Sequence, residues 1–150
     1  MNITFESPNQ PEIIALIAEL DAYLLELYPP ESVYALDIDT LAQPHIRFAV
    51  ARNSEGAAAG CGAIVLTPEY AEVKRMFVHP ASRGSGAAKR LLAKLEEAAR
   101  EAGCPVMVLE TGPDQPEALG LYERLGFARR GPYGGYADDP LSVFMEKPLK

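Results

Sequence analysis

The stretch from Lys74 to Lys94 gathers the side chains of this sequence best suited to chemistry. It carries six cations, Lys74, Arg75, Arg83, Lys89, Arg90 and Lys94, and no carboxylate, in a chain whose formal net charge is −7. Inside it, Arg83-Gly84-Ser85-Gly86 separates a segment of strand character from one of helical character. The first N–H groups of a helix lack internal partners and carry partial positive charge. Glycines let such a backbone approach an anion closely, and Arg83 with Lys89 or Arg90 adds full charge. Together they make a cradle for a pyrophosphate. The plainer alternative is a tight turn beside a solvated basic helix face. The turn is not a triphosphate-binding P-loop, because neither GxxxxGKS nor GxxxxGKT occurs. GSGAAK also lacks the GxGxxG dinucleotide pattern, and the strand before it is too polar for the centre of a doubly wound sheet.

The elements that must position this turn follow from periodicity. Ile3 to Glu6 reads as a first strand. Pro11 opens a helix over 11–27, with Ile13, Leu16, Ile17, Leu20, Leu24 and Leu27 at helical spacing, and Tyr28-Pro29-Pro30 stops it. Glu31 to Leu41 reads as a short helix or irregular turn. Strands are predicted over Ile46–Arg52 and Ala58–Leu66 around an Asn53–Gly56 hairpin turn, and over Glu72–Val78, where Val73, Arg75 and Phe77 alternate against Glu72, Lys74 and Met76. After the glycine turn comes the strongest helix, with a stripe of Ala88, Leu91, Leu92, Leu95, Ala98, Ala99 and Ala102 and a Gly103 cap. Pro105–Glu110 is a buried strand, Gln115–Leu125 a helix, and Phe127–Arg130 and Leu141–Glu146 the last strands around a Gly/Pro/Tyr/Asp loop from Gly131 to Pro140.

Composition bounds the function. A chain of 150 residues with 48% hydrophobic and 23% charged residues is one globular domain. Its acidity argues against general nucleic-acid binding, which needs a basic footprint. The longest small and apolar run, Ala57–Leu66, is too short to cross a bilayer, so no membrane partner is expected. The start, MNITFESPNQ, shows no signal peptide, which makes a cytoplasmic location the expectation. Cys61 and Cys104 have no metal-ligand spacing and read as small core residues. With His45 and His79 far apart, no metal site is expected.

Two motifs carry a resemblance to a known family. Arg83-Gly84-Ser85-Gly86-Ala87-Ala88 resembles the (Q/R)xxGx(G/A) signature of the GCN5-related N-acetyltransferase (GNAT) superfamily, and the MFVHP before it resembles that family's fourth strand and turn. QPEALGLYERLGF, from Gln115 to Phe127, is similar to the family's NxxAxxLYxxxGF helix. The element order agrees from Phe48 to the C-terminus. Tyr28-Pro29-Pro30-Glu31-Ser32 and GPYGGYADDPLSVFMEKPL further resemble a small bacterial subgroup labelled indoleacetic-acid or small-molecule acetyltransferases.

The resemblance implies an α/β fold over 1–150: a mixed, mostly antiparallel sheet of six to seven strands, helices on both faces, and a splay between the strand before Arg83 and the strand at Val106–Glu110. It implies transfer of an acetyl group from acetyl-coenzyme A to the amine of a small molecule, amino acid or peptide, by direct attack without a covalent enzyme intermediate. The backbone of Arg83, Gly84, Ser85, Gly86, Ala87 and Ala88 is expected to hold the pyrophosphate, and the main chain of Met76, Phe77 and Val78 to pair with the pantetheine arm. Gln115 stands where the family has a cofactor-contacting Asn; the plainer reading is a helix cap. Tyr122 matches the family's tyrosine near the cofactor sulfur, where a phenol can donate a proton or a hydrogen bond to the departing thiolate, the alternative being a core aromatic. Glu72 is the candidate general base, because an ammonium must lose a proton before it attacks; the alternative is a solvated strand carboxylate. Tyr28 and Glu31, with Tyr133 and Tyr136 from the late loop, are the candidate acceptor-binding residues. Aromatics and the carboxylates Asp138 and Asp139 would suit a cationic amine, whereas His45, Arg47 and Arg75 would suit an acceptor carboxylate. Family habit adds a homodimer. The competing readings are an acyl-coenzyme A sensor without turnover and an unrelated nucleotide-phosphate binder.

Overall fold

A computed structural model describes residues 1–34 and 36–149. Seven strands form one sheet: β1 (Asn2–Phe5), β2 (Ile46–Arg52), β3 (Ala58–Leu66), β4 (Ala71–Val78), β5 (Val106–Thr111), β6 (Ala128–Arg130) and β7 (Val143–Pro148), in the order β1-β2-β3-β4-β5-β7-β6. All neighbours are antiparallel except β4 and β5, which run parallel. The helices are α1 (Pro11–Leu27), α2 (Ile38–Leu41), α3 (Ala87–Glu101) and α4 (Pro116–Arg124). The expected mixed, mostly antiparallel sheet with helices on both faces is the architecture observed.

Each face has its own core. On one side α1 buries Ile13, Leu16, Ile17 and Leu20 against Phe48, Val50, Cys61, Ala63 and Phe77. On the other, α3 buries Leu91, Leu92, Leu95, Ala98 and Ala99 against Ala49, Ala51, Ile64 and Val73, with Leu119 and Tyr122 of α4. α1 matches the predicted 11–27, with Pro11 at its start. The region read as Glu31–Leu41 resolves into a 3-10 turn at Pro30–Ser32 and the single turn of α2, whose N-cap Asp37 accepts from the Thr40 N–H at 2.8 Å. The last strand lies two residues further along than predicted, because β7 pairs with β5 through Pro148.

One feature of β4 departs from the predicted alternation. Cys61 pairs with Phe77 but Ala63 pairs with Lys74, so Arg75 and Met76 together oppose Gly62. This is a β-bulge. Arg75 sits in the left-handed region at φ 59°. Gly62 stands opposite it, and a Cβ there would displace the Met76 side chain, whose sulfur occupies that space. The extra residue inverts the pleat. Val73 faces α3 while Phe77 faces α1, so the two do not share the face that strict alternation assigned them. Lys74 and Arg75 are both buried in consequence.

The bulge also opens the sheet. β4 and β5 pair only at Ala71–Met107, Glu72–Val108 and Val73–Leu109. Beyond Val73 the strands separate, as expected, and the β5-facing polar groups of β4 from Lys74 to Val78 are left without a strand partner.

Candidate active site

The V between β4 and β5 holds two adjoining cavities. The larger, about 320 Å³, runs from Met76, Phe77 and Val78 to Arg83 and Ala88, with α4 as its other wall. The smaller, about 120 Å³, lies at the apex of the V among Tyr28, Tyr34, Lys74, Leu109 and Glu110. Leu20, Met76, Gln115, Ala118 and Tyr122 line both and form the neck between them.

At the outer end of the large cavity, Gly84 and Gly86 both adopt φ 82°, and a Cβ at either would meet open space, so the constraint is conformational. Gly86 is the N-cap of α3, with no side-chain cap. Among the described residues the amides of Gly84, Ser85 and Gly86 make no hydrogen bond, and the first helical bond is donated by the Arg90 N–H to the Gly86 carbonyl at 3.1 Å. The amides of Ala87 and Ala88 precede it. Their side chains differ: Ala87 is buried in the α3 core, and Ala88 lines the cleft. Arg83 is exposed, and its Nε donates to the Val78 carbonyl at 3.3 Å. A row of unpartnered amides at a helix start, next to an unpaired strand edge, fits an elongated ligand with a phosphorylated end.

Tyr122 stands at the neck. It is buried, packs edge-on against Phe127 at 5.7 Å, and its hydroxyl makes no hydrogen bond among the described residues. Burial pushes its phenol above the ordinary tyrosine range, so the group holds its proton. Gln115 is the N-cap residue of α4 but makes no cap hydrogen bond. Its Oε1 instead accepts from the Gly112 N–H at 3.2 Å and from the Tyr28 hydroxyl at 3.4 Å, which overturns the helix-cap reading. Tyr28 in turn accepts from the Asp114 N–H at 3.1 Å, and its ring lies where a side chain on Gly112 would stand. α1 is thereby pinned to the loop before α4.

The remaining candidates divide. Glu72 does not line either cavity. Its Oε2 accepts from the hydroxyls of Tyr133 and Tyr136, each at 2.7 Å, and lies 3.9 Å from the Lys74 ammonium. Tyr133 and Tyr136 are committed to this contact and to packing on Phe144, so they stand behind the chamber wall rather than in it. Glu31 is exposed and lines neither cavity. His45 is exposed, and Arg47 stacks over Phe5 at 4.0 Å, far along β2. Arg75 is buried, with its guanidinium 2.7 Å from Asp21 on α1. Asp139 ties the late loop to the segment after α1, accepting from Ser32 at 2.9 Å and Tyr34 at 3.2 Å.

One residue absent from the sequence-based candidates comes forward. Glu110 ends the buried part of β5 and lines the small chamber. Ser142 donates to its Oε2 at 2.8 Å. Burial pushes its carboxyl above the ordinary range, and the nearby Glu72 and Asp139 charges add to the rise, against Ser142 and Lys74. The signal in the sequence was a lone carboxylate closing the apolar run Val106–Leu109 just before Thr111-Gly112. Among the described residues, no group of three His, Cys, Asp or Glu could hold a metal ion, and no helix is long and apolar enough to cross a membrane.

Comparison with known proteins agrees with this geometry. The profile of the Acetyltransferase (GNAT) family matches residues 13–127. An IAA acetyltransferase of Azospirillum brasilense is 54% identical over 151 residues, covering 99% of this chain and 98% of that one. YsnE of Bacillus subtilis, an uncharacterized N-acetyltransferase, is 34% identical over 152 residues, covering 99% of this chain and all of the other. A crystal structure from Klebsiella pneumoniae, provisionally assigned as an acyl-CoA N-acyltransferase, superposes with a TM-score of 0.85 at 40% identity, covering 99% of this chain and 97% of that one. The chain belongs to the Acetyltransferase (GNAT) family and is an acetyltransferase with acetyl-coenzyme A as its acyl donor.

Proposed function

We propose that residues 1–150 act as one N-acetyltransferase domain that acetylates the amine of a small molecule held in the 120 Å³ chamber. The observation that carries this reading is the neck: one phenol, Tyr122, is shared by a long cleft ending at free amides and a small polar chamber containing a carboxyl of raised affinity for protons.

In this reading the amides of Gly84 to Ala88 and the Arg83 side chain hold the diphosphate of the donor. The open edge of Met76, Phe77 and Val78 pairs with its pantetheine arm, and Gln115 offers its amide nitrogen at the neck. The donor supplies an acyl group activated as a thioester: overall a C–S bond breaks, a C–N bond forms and one proton is released. Glu110 takes the proton that the acceptor ammonium must lose, displacing Glu72 from that role. Glu72 is instead a structural carboxylate that fixes Tyr133, Tyr136 and Lys74. Tyr122 gives its proton to the sulfur as it leaves; the second proton, lost by the nitrogen as the tetrahedral intermediate collapses, returns to the Tyr122 phenolate through solvent, so the proton on Glu110 is the one released. Proximity supplies the rest, since donor and acceptor enter one neck from opposite sides. A cytoplasmic setting and a homodimer complete the proposal, the latter checked by light scattering.

Titration calorimetry with coenzyme A, acetyl-coenzyme A and ADP, followed by a thiol-release assay over an amine panel, tests the reading. Heat with both coenzyme A species and thiol release with at least one amine are expected. Equal binding of ADP points to a general nucleotide-phosphate binder. Tight coenzyme A binding with no release to any amine points to a sensor.

A further inference from the structure

The small chamber has two poles. Lys74 is 9% exposed, and its Nζ donates to the Tyr34 carbonyl and the Tyr136 hydroxyl, both at 2.7 Å. An ammonium has three N–H donors, so one remains. Its neighbouring carboxylate does not take it: the nearer oxygen of Glu72 is 3.9 Å away and already accepts two tyrosine hydroxyls. Lys74 lines the chamber, so its free donor has an opening to face. Glu110 lines the same chamber. The last paired residues of the parallel strands are Val73 and Leu109, which makes Lys74 and Glu110 the next in step, on the same face, at the point where the strands part. Adjacent strands lie about 4.8 Å apart. An ammonium and a carboxyl thus stand on facing walls of the apex.

We infer that the acceptor is an amino acid, its carboxylate bound by Lys74 and its amine presented to Glu110. The inference rests on the reading of the chamber as the acceptor site. A buried ammonium with an unused donor attracts an anion and repels a second cation, because desolvation strengthens both effects. A polyamine would place one of its charges against Lys74. A simple amine would leave the Lys74 donor without a ligand partner. An amino acid satisfies both poles with one small molecule. The remaining lining adds one further cation, Arg75, whose guanidinium is already paired with Asp21, and the apolar side chains of Leu20, Leu24, Val33, Leu109 and Leu141, which receive the acceptor's side chain.

The test compares, in the wild-type protein, the common L-amino acids with their primary amides and with putrescine and spermidine, by thiol release from acetyl-coenzyme A. The amides keep the shape, remove the carboxylate charge and carry a less basic amine. A preference in kcat/KM of about tenfold or more for at least one amino acid over its own amide is expected, as for a site whose buried donor is otherwise left unpaired. Lys74→Met and Lys74→Gln are expected to narrow that preference by raising KM for the amino acid more than they lower kcat. Calorimetry with the N-acetylated form of the preferred amino acid supplies a readout besides turnover: it binds the wild type and loses affinity in both variants. Amides or polyamines used as well as amino acids by the wild type would overturn the inference while leaving the acetyltransferase reading intact. So would folded Lys74 variants that keep the full preference. Thiol release with none of the acceptors, despite coenzyme A binding, would overturn the reading and the inference together.

Discussion

The two cavities meeting at Tyr122 are built on different principles. The long cleft offers mostly backbone: free amides at the start of α3 and an unpaired edge on β4. The small chamber offers side chains, each held in place: Lys74 by the Tyr34 carbonyl and the Tyr136 hydroxyl, Glu110 by Ser142, and Tyr28 by the Asp114 N–H and the Gln115 side chain. A backbone site tolerates many sequences provided the turn keeps its glycines and the strand keeps its bulge. A side-chain site depends on residues drawn from α1, β4, β5 and the late loop at once. In the proposed reading the donor end is thus defined by conformation, and the acceptor end by identity.

The sharpest way to break this contrast is at Glu110. Glu110→Gln keeps the shape of the side chain and removes the base, so turnover is expected to fall by about 10²- to 10³-fold with donor binding unchanged. The pH profile carries the sign. Burial raises the Glu110 carboxyl above the ordinary glutamate value of 4.5, so the wild-type rate should climb as pH rises through that elevated value, and the variant should lose this acid limb. The same shift acts on stability in the opposite sense. The folded chain holds this proton longer than the unfolded chain, so the stabilising contribution is complete below 4.5 and is lost as pH rises through the folded value. Glu110→Gln should flatten that decline in thermal melts. An unchanged rate profile would return the proton-accepting role to another group.

Tyr122→Phe tests the neck. The ring keeps its packing on Phe127, and the hydroxyl makes no hydrogen bond that stability would miss. We expect kcat to drop by about 10- to 100-fold with both KM values nearly constant. Equal losses in kcat and donor affinity would mean that the phenol holds the donor and supplies no proton. Gly86→Ala then addresses the backbone side alone. A Cβ meets nothing in space, but the left-handed φ of 82° costs about 1–2 kcal/mol for a non-glycine residue. If the turn relaxes to avoid that cost, the donor KM should rise by about tenfold while the acceptor KM stays fixed. A matching rise in acceptor KM would show that the two cavities are not independent.

How much of this was legible in the sequence follows the same division. Local conformation wrote the donor cleft into adjacent residues, so Arg83 to Ala88 and the helix from Gln115 to Phe127 could be recognised as motifs. α1, β2 and β3 had the predicted bounds because periodicity and proline punctuation act locally. The bulge did not announce itself. Val73, Arg75 and Phe77 alternate well on paper, and only the pairing with Gly62 reveals the extra residue. Glu72 stands out in the sequence and Glu110 does not, because the burial of Glu110 and its closeness to Lys74 arise from β4 and β5 lying side by side, which no local spacing encodes. The sequence places Tyr133 and Tyr136 against a cationic acceptor; their hydroxyls instead donate to a carboxylate. That charge belongs to the protein itself: Glu72, 61 and 64 residues away in sequence.

The chamber wall gives the smallest and most diagnostic effect. The Tyr136 hydroxyl donates to Glu72 and accepts from Lys74, so it links a half-buried carboxylate to a buried ammonium. Tyr136→Phe removes both bonds at once, while Tyr133 still donates to the same Glu72 oxygen. Loss of hydrogen bonds to buried charged groups should lower stability by about 1–3 kcal/mol, read from denaturant midpoints at constant slope. Tyr133→Phe should cost less, because it leaves Lys74 satisfied. The double variant should be more than additive, since Glu72 would then keep no hydroxyl donor and rely on an ammonium 3.9 Å away. If the wall positions Lys74 for an acceptor, Tyr136→Phe should also raise the acceptor KM by about threefold without touching donor affinity, whereas Tyr133→Phe should leave both unchanged. Additive stability losses with no separation between the two tyrosines in acceptor KM would reduce the network to packing, and the contrast between a conformational donor site and a side-chain acceptor site would lose its strongest support.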